Sequence, residues 1–473
     1  MSKNELKRSL GLVDATSIVA GSMIGSGIFI VTATMMRDIG SPAWMLLLWL
    51  LTGIVTIFAA LSYGELASMM PNAGGQYVYI RRAYGRMTSF IYGWSVFTVI
   101  QTGLIAAVAV AFAKYTAVFF PFLNNDFIKF GESFNVTFSQ LLAVLSIIIL
   151  TFVNSRGVKN GKVIQVVFTS AKLFALFALI VIGIAVGIKS TNITDNFSHM
   201  WEATKTTILP NGKITVIPLT GFALLGALGA TIINPLFSSD AWNNVTFIAG
   251  EIKDPKKNIP RSLFLGTLIV TVIYILANLS YLLLLPNNEI MTADQDRVGA
   301  AAASVMFGNI GASIMAILIM VSTFGCNNGL IFGGSRLFYA MSVDGLFFKK
   351  AKQLNKYDVP SIALWIQCIW SSILCMSGKY SDLLVYSTFT SLLFYMITIA
   401  GVFILRVKEP NTERPYKAFG YPIIPALYIL ITLTICADLL IYDTRNTGMG
   451  LVIVLIGIPI YYLFNNKEVK EKV

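Results

Sequence analysis

The chain has 473 residues, of which 56% are hydrophobic and only 12% are charged, and its formal net charge is +12. Soluble domains carry about 25% charged residues, so this composition excludes an ordinary water-soluble fold and indicates an integral membrane protein. The polar, basic start "MSKNELKRSL" is followed by an apolar run that is too long for the core of a signal peptide, so we expect no cleavable signal.

Apolar runs of bilayer-crossing length recur along the whole chain. They predict twelve transmembrane spans, at 11–36, 42–67, 88–119, 137–154, 162–187, 219–249, 262–285, 304–340, 360–377, 382–405, 422–441 and 447–465. Most of the 35 Lys and Arg lie in the two termini and in alternate connections, near residues 81, 156, 256, 350 and 412. The positive-inside rule therefore predicts cytoplasmic termini. The charge indicates orientation in the membrane and not a nucleic-acid partner.

The first span contains the stretch "GSMIGSGIFI", Gly21 to Ile30. Three glycines and two serines within seven positions are unfavourable for a continuous helix, since each glycine costs about 1 kcal/mol relative to alanine. The sixth span, near "NPLFSSDAWNN", is too long for one straight crossing and contains Pro235, which removes a backbone donor. Both spans are predicted to be broken near the membrane midplane.

The two broken spans begin two sets of five spans that enter the membrane from opposite sides. This pattern is typical of inverted-repeat secondary transporters, whose substrate lies between the two breaks. It predicts a cytoplasmic tail (1–10), a first repeat (11–187), an extracellular loop (188–218), a second repeat (219–405), spans 11 and 12 (422–465) and a second cytoplasmic tail (466–473). The alternative is a pair of kinked helices whose glycines only allow close helix packing.

A broken helix exposes N–H groups that attract anions and C=O groups that attract cations. A carboxylate could be held by the amides of Ser26, Gly27 and Ile28, where glycine lets the ligand approach the backbone. An ammonium could be held by carbonyls near Ile24 and Phe237. An α-amino acid carries both groups on one carbon.

Five stretches resemble a known family: "GSMIGSGIF", "YGELASMMPNAGGQYVYIRRAYG", "PLFSSDAWNN", "GEIKDPKKNIPRSL" and "GGSRLFYAMSVDG". Together they are similar to the amino acid–polyamine–organocation permeases, and within them to the prokaryotic relatives of the L-type transporters. The resemblance covers about residues 8–465. It implies an all-α membrane protein with twelve transmembrane helices, a LeuT-like 5+5 inverted repeat and broken helices 1 and 6.

The resemblance also implies a binding site and a mechanism. The substrate's carboxylate and amino groups would lie on the two breaks, Phe237 would act as an aromatic gate, and a bundle of spans 1, 2, 6 and 7 would rock against spans 3, 4, 8 and 9. Phe389 and Ser391 in span 10 would border the side-chain pocket. The predicted substrate-binding set is Ile24, Gly25, Ser26, Gly27, Ile28, Phe237, Ser238, Ser239, Asp240, Phe389 and Ser391.

Lys172 in "FTSAKLFAL" lies about 15 Å inside the fifth span. A charge at that depth costs at least about 2.5–3.5 kcal/mol, so we expect the side chain to face the protein interior. One hypothesis is a purely structural lysine bonded to carbonyls of span 1. The resemblance implies a conformational role, in which the lysine replaces a bound sodium ion and makes transport sodium-independent.

Asp240 departs from the family, in which many L-type members have glycine at this place. Three interpretations remain open: contact with the α-ammonium or a cationic side chain, transfer of a coupled proton, or a cap on the second half-helix. Among the other polar residues, Glu65 is predicted to order the inner gate and Lys114 to reach the outer surface. Gln101 and Thr102 are predicted to form interhelical hydrogen bonds.

These features predict a secondary active transporter that moves L-amino acids by alternating access, by proton symport or exchange, in a plasma membrane, and specifically a bacterial inner membrane. The predicted partners are the amino acid, protons and lipid. No cofactor or metal is expected, since the single histidine, His199, lies in an outer loop, and the four cysteines are expected to pack inside spans. In the eukaryotic light subunits of the family that the chain resembles, a cysteine in the loop between spans 3 and 4 bonds a heavy subunit. The corresponding loop here, Phe120 to Val136, lacks cysteine, so the resemblance implies no disulfide-linked heavy subunit. The alternatives are a sensor or receptor that retains the fold and a membrane-embedded enzyme.

Overall fold

The computed structural model describes residues 8–130, 134–208, 214–377 and 380–470, so the predicted tails at 1–10 and 466–473 lie partly outside it. The helices of the first half are α1 (Leu12–Met23), α2 (Gly27–Ile39), α3 (Pro42–Met69), α4 (Gln76–Tyr84), α5 (Arg86–Ser95), α6 (Gln101–Thr116), α7 (Phe138–Ser155), α8 (Val158–Gly187) and α9 (Asn192–Phe197). A π-helical turn, Val96–Ile100, joins α5 to α6.

The helices of the second half continue this pattern. They are α10 (Gly221–Thr231), α11 (Ile233–Ser238), α12 (Asn244–Phe247), α13 (Pro255–Leu284), α14 (Asn287–Met291), α15 (Val298–Phe307), α16 (Gly311–Val343), α17 (Ser361–Ser377), α18 (Tyr380–Lys408), α19 (Ile423–Tyr442) and α20 (Thr444–Lys470). Among the described residues, eleven helical segments are long and apolar enough to cross a membrane. The shorter α17 coincides with the predicted span at 360–377. The prediction of an all-α, multi-pass membrane protein is confirmed.

Two short antiparallel hairpins were not predicted. Strands β1 (Asp126–Phe130) and β2 (Phe134–Thr137) pair between α6 and α7, and strands β3 (Thr204–Ile208) and β4 (Ile214–Pro218) pair between α9 and α10. The β3–β4 hairpin is rich in Thr, Ile and Val, which favour strands. The predicted loop at 188–218 is therefore partly ordered by a hairpin that packs on α2.

Both predicted breaks are observed. Between α1 and α2 the backbone of Ile24 is extended, with φ −76° and ψ 92°. In the second half, α10 ends at Thr231, because the ring of Pro235 would clash with the carbonyl of the residue four positions earlier. After α11 the chain turns at Ala241, whose φ of 64° is unusual for a residue with a side chain. Helices therefore end inside the protein at both places.

Candidate functional site

The two breaks touch each other at Gly27 and Ser238. A Cβ atom on Gly27 would lie 2.1 Å from the Ser238 Oγ and 2.7 Å from its Cβ. Since no real side chain tolerates such distances, the contact requires glycine at residue 27. Ser26 precedes α2, Ser239 follows α11, and both lie near this contact with 1% and 6% of their surfaces exposed. The structure thus brings the two predicted halves of the site together.

Lys172 binds the C-terminal end of α1. Its Nζ lies 2.5 Å from the Gly21 carbonyl oxygen and 2.6 Å from that of Ile24, and the side chain is buried. A longer contact of 3.5 Å reaches the Ser322 carbonyl on α16. The Ser322 hydroxyl donates a second hydrogen bond to Ile24, over 3.2 Å. The Ile24 carbonyl, predicted to hold the substrate's ammonium, therefore already accepts two hydrogen bonds from the protein.

Tyr274, in the middle of α13, lies between the two breaks. Its hydroxyl oxygen is 3.0 Å from the Met23 carbonyl oxygen at the end of α1 and 2.9 Å from the Ser238 carbonyl oxygen at the end of α11. One hydroxyl hydrogen serves both acceptors. A role for Tyr274 was not predicted from the sequence. The one indication was its polar hydroxyl inside the apolar run "TVIYILANL".

Asp240 lies in the second break, between α11 and α12, and is 95% buried. Its Oδ1 accepts hydrogen bonds from the Tyr395 hydroxyl, at 2.5 Å, and from the Ala241 amide, at 2.7 Å. Its Oδ2 has no hydrogen-bond partner within the described part of the chain. The residue that caps α12 is Asn243, so Asp240 does not occupy the helix-cap position considered from the sequence.

A buried hydrogen-bond network runs from Asp240 to α4. Tyr395 also lies 3.2 Å from the Asn243 Oδ1, and the Asn243 amide donates to the Gln76 Oε1 over 2.8 Å. Gln76 is the first residue of α4, accepts a hydrogen bond from Tyr92 and donates one to Thr398. Because buried polar groups are costly when unpaired, this network holds the second break in a defined position relative to α4 and α18.

Three small cavities lie around the second break, and Asp240 lines two of them. One, of about 20 Å³, lies between the breaks and is lined by Gly25, Ser26, Gly27, Phe237 and Asp240 among others. A second of about 20 Å³ and a third of about 10 Å³ flank Ser391. Such volumes hold about one water molecule each, so the space between the breaks is closed in this structure.

Of the remaining predicted residues, some line the small cavities and others do not. Ile28 is fully buried, whereas Phe237 and Ser391 line the cavities. Phe389 lines none of these three cavities, because it faces α20, where its ring would be 3.4 Å from a Cβ added at Gly450. Residues two positions apart on a helix point about 200° apart, so α18 cannot direct both Phe389 and Ser391 into one pocket.

The π-helical turn adds an element that the sequence did not reveal. Ile100, within it, and Gln101, directly after it, line the third cavity. The Gln101 side chain donates to the Leu330 carbonyl on α16 over 2.8 Å, which is an interhelical hydrogen bond. The Thr102 hydroxyl donates instead to the Phe97 carbonyl, which lies in the π-helical turn directly before α6. Single π-turns recur at functional sites in membrane and soluble helices.

A larger vestibule lies beyond the first break. It measures about 310 Å³ and is lined by residues of α2, α6, α10, α11 and α18, including Asp38, Lys114 and Asn234. Lys114 donates to the Gln295 carbonyl over 3.0 Å, and Arg37 forms an ion pair of 2.7 Å with Asp296. This side of the protein is therefore closed by charged contacts between α2, α6 and the segment before α15.

Ion pairs also join the elements at the opposite end. Glu65 on α3 pairs with Arg406 at 2.6 Å and with Arg414 at 3.2 Å, and it accepts the Ala418 amide over 2.7 Å. At the surface, hydrogen bonds from Arg82 lower the pKa of Glu409. These contacts attach the connection after α18 to α3 and α4.

The start of the chain is held at the same end. Leu10 forms a parallel β-bridge with Ile252, and the amides of Ser9 and Leu10 both donate to the Glu251 carbonyl. The Glu251 side chain forms a fully buried ion pair of 2.9 Å with Arg336 on α16. The segment before the first broken helix is therefore paired with the segment after the second.

Comparison with known proteins places this site in a family context. Residues 10–461 match the family model described as amino acid permease. The chain is 31% identical over 467 residues to the large neutral amino acids transporter small subunit 2 of Homo sapiens, covering 97% of this chain and 80% of that protein. It is 29% identical over 462 residues to the serine/threonine exchanger SteT of Bacillus subtilis (strain 168), covering 97% of each.

A third relative, the cystine/glutamate transporter of Homo sapiens, is 30% identical over 463 residues, which cover 98% of this chain and 86% of that protein. All three are named as transport proteins, which supports the prediction that the chain is not an enzyme. The family match extends from the segment before α1 into α20 and includes both breaks. The protein therefore belongs to the amino acid permease family, and within it to the L-type transporters that its motifs resemble.

Proposed function

We propose that the protein moves zwitterionic L-amino acids across a plasma membrane by sodium-independent alternating access, through proton symport or exchange. The observation that carries the proposal is the buried carboxylate of Asp240, which lines the same cavity as Gly25, Ser26 and Gly27 and whose Oδ2 has only the Ser391 hydroxyl as a neighbouring donor among the described residues. A buried carboxylate with too few donors is costly. A substrate ammonium at this place would supply a charged donor.

The carboxylate of the substrate would bind the opposite side of the cavity. Helix α2 begins at Gly27, and the N–H groups of a first helical turn have no acceptor inside their own helix. The amides of Gly27 and Ile28 would hold the carboxylate, favoured by the positive end of the helix dipole. The ammonium site proposed here is Asp240, because Lys172 and Ser322 already bind the Ile24 carbonyl.

Alternating access would use the inverted repeat predicted from the sequence. The repeats at 11–187 and 219–405 each begin with a broken helix, α1–α2 and α10–α12, and the two meet at Gly27 and Ser238. Tyr274 joins the ends of both first halves, so the breaks would move together. Phe237 lines the central cavity on the side of α11 and would close over the substrate.

Three further features complete the proposal. The excess of Lys and Arg in alternate connections supports cytoplasmic termini and, in a prokaryote, the inner membrane. Lys172 occupies the carbonyl cluster at the end of α1 with a side chain that is covalently part of the protein, which supports sodium independence. All four cysteines are free and buried, and this supports a transporter without a disulfide-linked heavy subunit.

Uptake by the purified protein in liposomes tests the proposal. Each of the twenty amino acids is offered in sodium-free buffer, with and without a pH gradient and with and without amino acid inside the vesicles. Stimulation by the gradient indicates proton symport, and stimulation by internal substrate indicates exchange. Absence of saturable uptake for every amino acid under all four conditions would overturn the proposal.

A further inference from the structure

The largest of the cavities described here lies away from the substrate site, at the end of the protein that carries most of the Lys and Arg. It is a groove of about 530 Å³ between the last turns of α3, the first turns of α13 and residues 415–419 of the connection between α18 and α19. Lys256, Lys257, Arg261 and Lys417 line it. Neither the transport cycle nor the family's substrate site uses these four side chains.

The wall of the groove is fixed in place. Tyr416 and Ser68 on α3 exchange two hydrogen bonds. The Tyr416 amide donates to the Ser68 hydroxyl over 3.2 Å, and that hydroxyl donates to the Tyr416 carbonyl over 3.4 Å. The neighbouring Ala418 amide donates to Glu65 over 2.7 Å, and the Tyr416 ring packs against Gly64. The connection between α18 and α19 is thereby attached to α3, so the groove is a built feature of the fold.

The positive charge of the groove is only partly neutralised. Lys256 forms an ion pair of 3.3 Å with Glu413, in which both side chains remain at least half exposed. The groove is also lined by Lys257, Arg261 and Lys417, which form no ion pair with any of the described residues. A ligand that fits this groove must therefore carry negative charge.

Beyond the four cationic side chains, further along α13, the groove is lined by apolar residues. Phe264 lies about 10 Å further along α13 than Lys257 and is 37% exposed, and Phe419 on the opposite wall is 65% exposed. The exposed face of α13 continues with Leu268 and Val272, at intervals of four residues. In a membrane-spanning helix such a face contacts lipid, so the groove changes from cationic to apolar in the direction of the membrane interior.

We propose that this groove binds one anionic phospholipid. Its phosphate would lie between Lys257, Arg261 and Lys417, and an acyl chain would follow Phe264 and Leu268 along α13. Basic pockets between transmembrane helices on the cytoplasmic side are suited to anionic headgroups. A soluble phosphate would use the cations but leave the apolar half of the groove unfilled, which is why the lipid is the occupant proposed.

Lipid binding to the purified full-length protein tests the proposal. Dioleoylphosphatidylglycerol, dioleoylphosphatidylcholine and glycerol 3-phosphate are each titrated into detergent-solubilised protein, and binding is followed by native mass spectrometry and by the thermal unfolding midpoint. The test variant carries Lys257→Gln, Arg261→Gln and Lys417→Gln. The control variant carries Lys349→Gln, Lys350→Gln and Lys352→Gln, which removes the same charge from exposed lysines at the same end of the protein.

We expect phosphatidylglycerol to bind the test variant at least about tenfold more weakly than the wild type or the control. Phosphatidylcholine should bind all three proteins equally, and glycerol 3-phosphate should not compete at lipid concentrations. Arg261→Gln alone should give an intermediate loss, which separates weakened binding from misfolding. Equal loss in the control variant, unchanged binding in the test variant, or competition by glycerol 3-phosphate at equal concentration would each overturn the proposal.

Discussion

The Nζ of Lys172 lies 2.6 Å from the carbonyl oxygen of Ile24, the residue directly after α1 in the first broken helix. A second carbonyl, that of Gly21, is 2.5 Å away. The free carbonyls at the end of α1 are thus bound by a lysine of α8. Because the contact joins the end of a broken helix to a continuous one, it connects the first break to the surrounding helices.

Replacing Lys172 with methionine should strongly reduce transport. The variant keeps most of the length of the side chain, but it takes the lysine donor from the buried Gly21 carbonyl and leaves Ile24 with Ser322 as its donor, at a cost of about 1–3 kcal/mol for the unpaired carbonyl. We expect a lower thermal unfolding midpoint and at least about tenfold slower uptake in liposomes. Lys114→Met is the matched control, since Lys114 lies near the outer end of α6 and binds one loop carbonyl. Equal uptake in both variants would contradict a specific role for Lys172.

Uptake by the wild type should not depend on sodium. The carbonyl cluster at the end of α1 is occupied by a side chain that is covalently part of the protein. Initial rates with sodium chloride and with choline chloride, at equal ionic strength, should therefore agree within about twofold, a difference of only about 0.4 kcal/mol. A large stimulation by sodium would contradict the proposed role of Lys172 as the group that occupies this cluster.

The two breaks and the position of Lys172 beside the first of them could be predicted from the sequence. Clustered glycines and an internal proline weaken a helix, and a deeply buried charge needs a partner, so Gly25, Gly27, Pro235 and Lys172 marked the breaks and their partner. Tyr274 and the network from Asp240 to Gln76 could not be predicted, because tyrosine and glutamine are common and gain their role only when distant helices meet. The family resemblance implied that Phe389 and Ser391 both border the side-chain pocket, but the two residues point to opposite sides of α18 and only Ser391 lines the cavities described above.

Gly27→Ala should eliminate uptake, because the new Cβ would lie 2.1 Å from the Ser238 Oγ. Gly448→Ala in α20 is the matched control, since a Cβ there has nothing within 4 Å. Adding Ser238→Gly to Gly27→Ala removes the two closest contacts and leaves only the Ser238 Cα, at 3.1 Å, so it should raise the thermal unfolding midpoint towards that of the wild type.

The double variant also separates the two roles of Gly27. If Gly27 lets the substrate's carboxylate reach the backbone, KM should stay raised by about tenfold, equivalent to about 1.4 kcal/mol, even after the two closest contacts are removed. A return of KM to the wild-type value would show that Gly27 serves only the contact between the two breaks.

Tyr274→Phe should separate the movements of the two broken helices. The change removes one hydroxyl and leaves the Met23 and Ser238 carbonyls without their shared donor, which costs about 1–3 kcal/mol. We expect a lower maximal rate with little change in KM, since Tyr274 is not among the residues that line the three cavities. The measurement is initial uptake over a range of substrate concentrations, with Tyr281→Phe as the control at another buried tyrosine of α13. A raised KM with an unchanged maximal rate would instead place Tyr274 in the binding site.

Asp240→Asn should weaken substrate binding and not only its coupling to protons. Asparagine still accepts the hydrogen bonds of Tyr395 and Ala241, but it loses the charge that would pair with the α-ammonium. Because hydrogen bonds to charged groups contribute about 1–1.5 kcal/mol more than neutral ones, KM should rise about tenfold. Asp38→Asn, in the outer vestibule, is the matched control.

Two further measurements distinguish the interpretations of Asp240. The wild type should bind N-acetyl amino acids much more weakly than free amino acids, and Asp240→Asn should reduce that difference, because the variant no longer favours a positive amino group. If Asp240 carries the coupled proton instead, the variant should retain its KM and its exchange activity but lose all stimulation by a pH gradient. An unchanged KM together with unchanged discrimination against N-acetyl amino acids would show that the ammonium binds elsewhere.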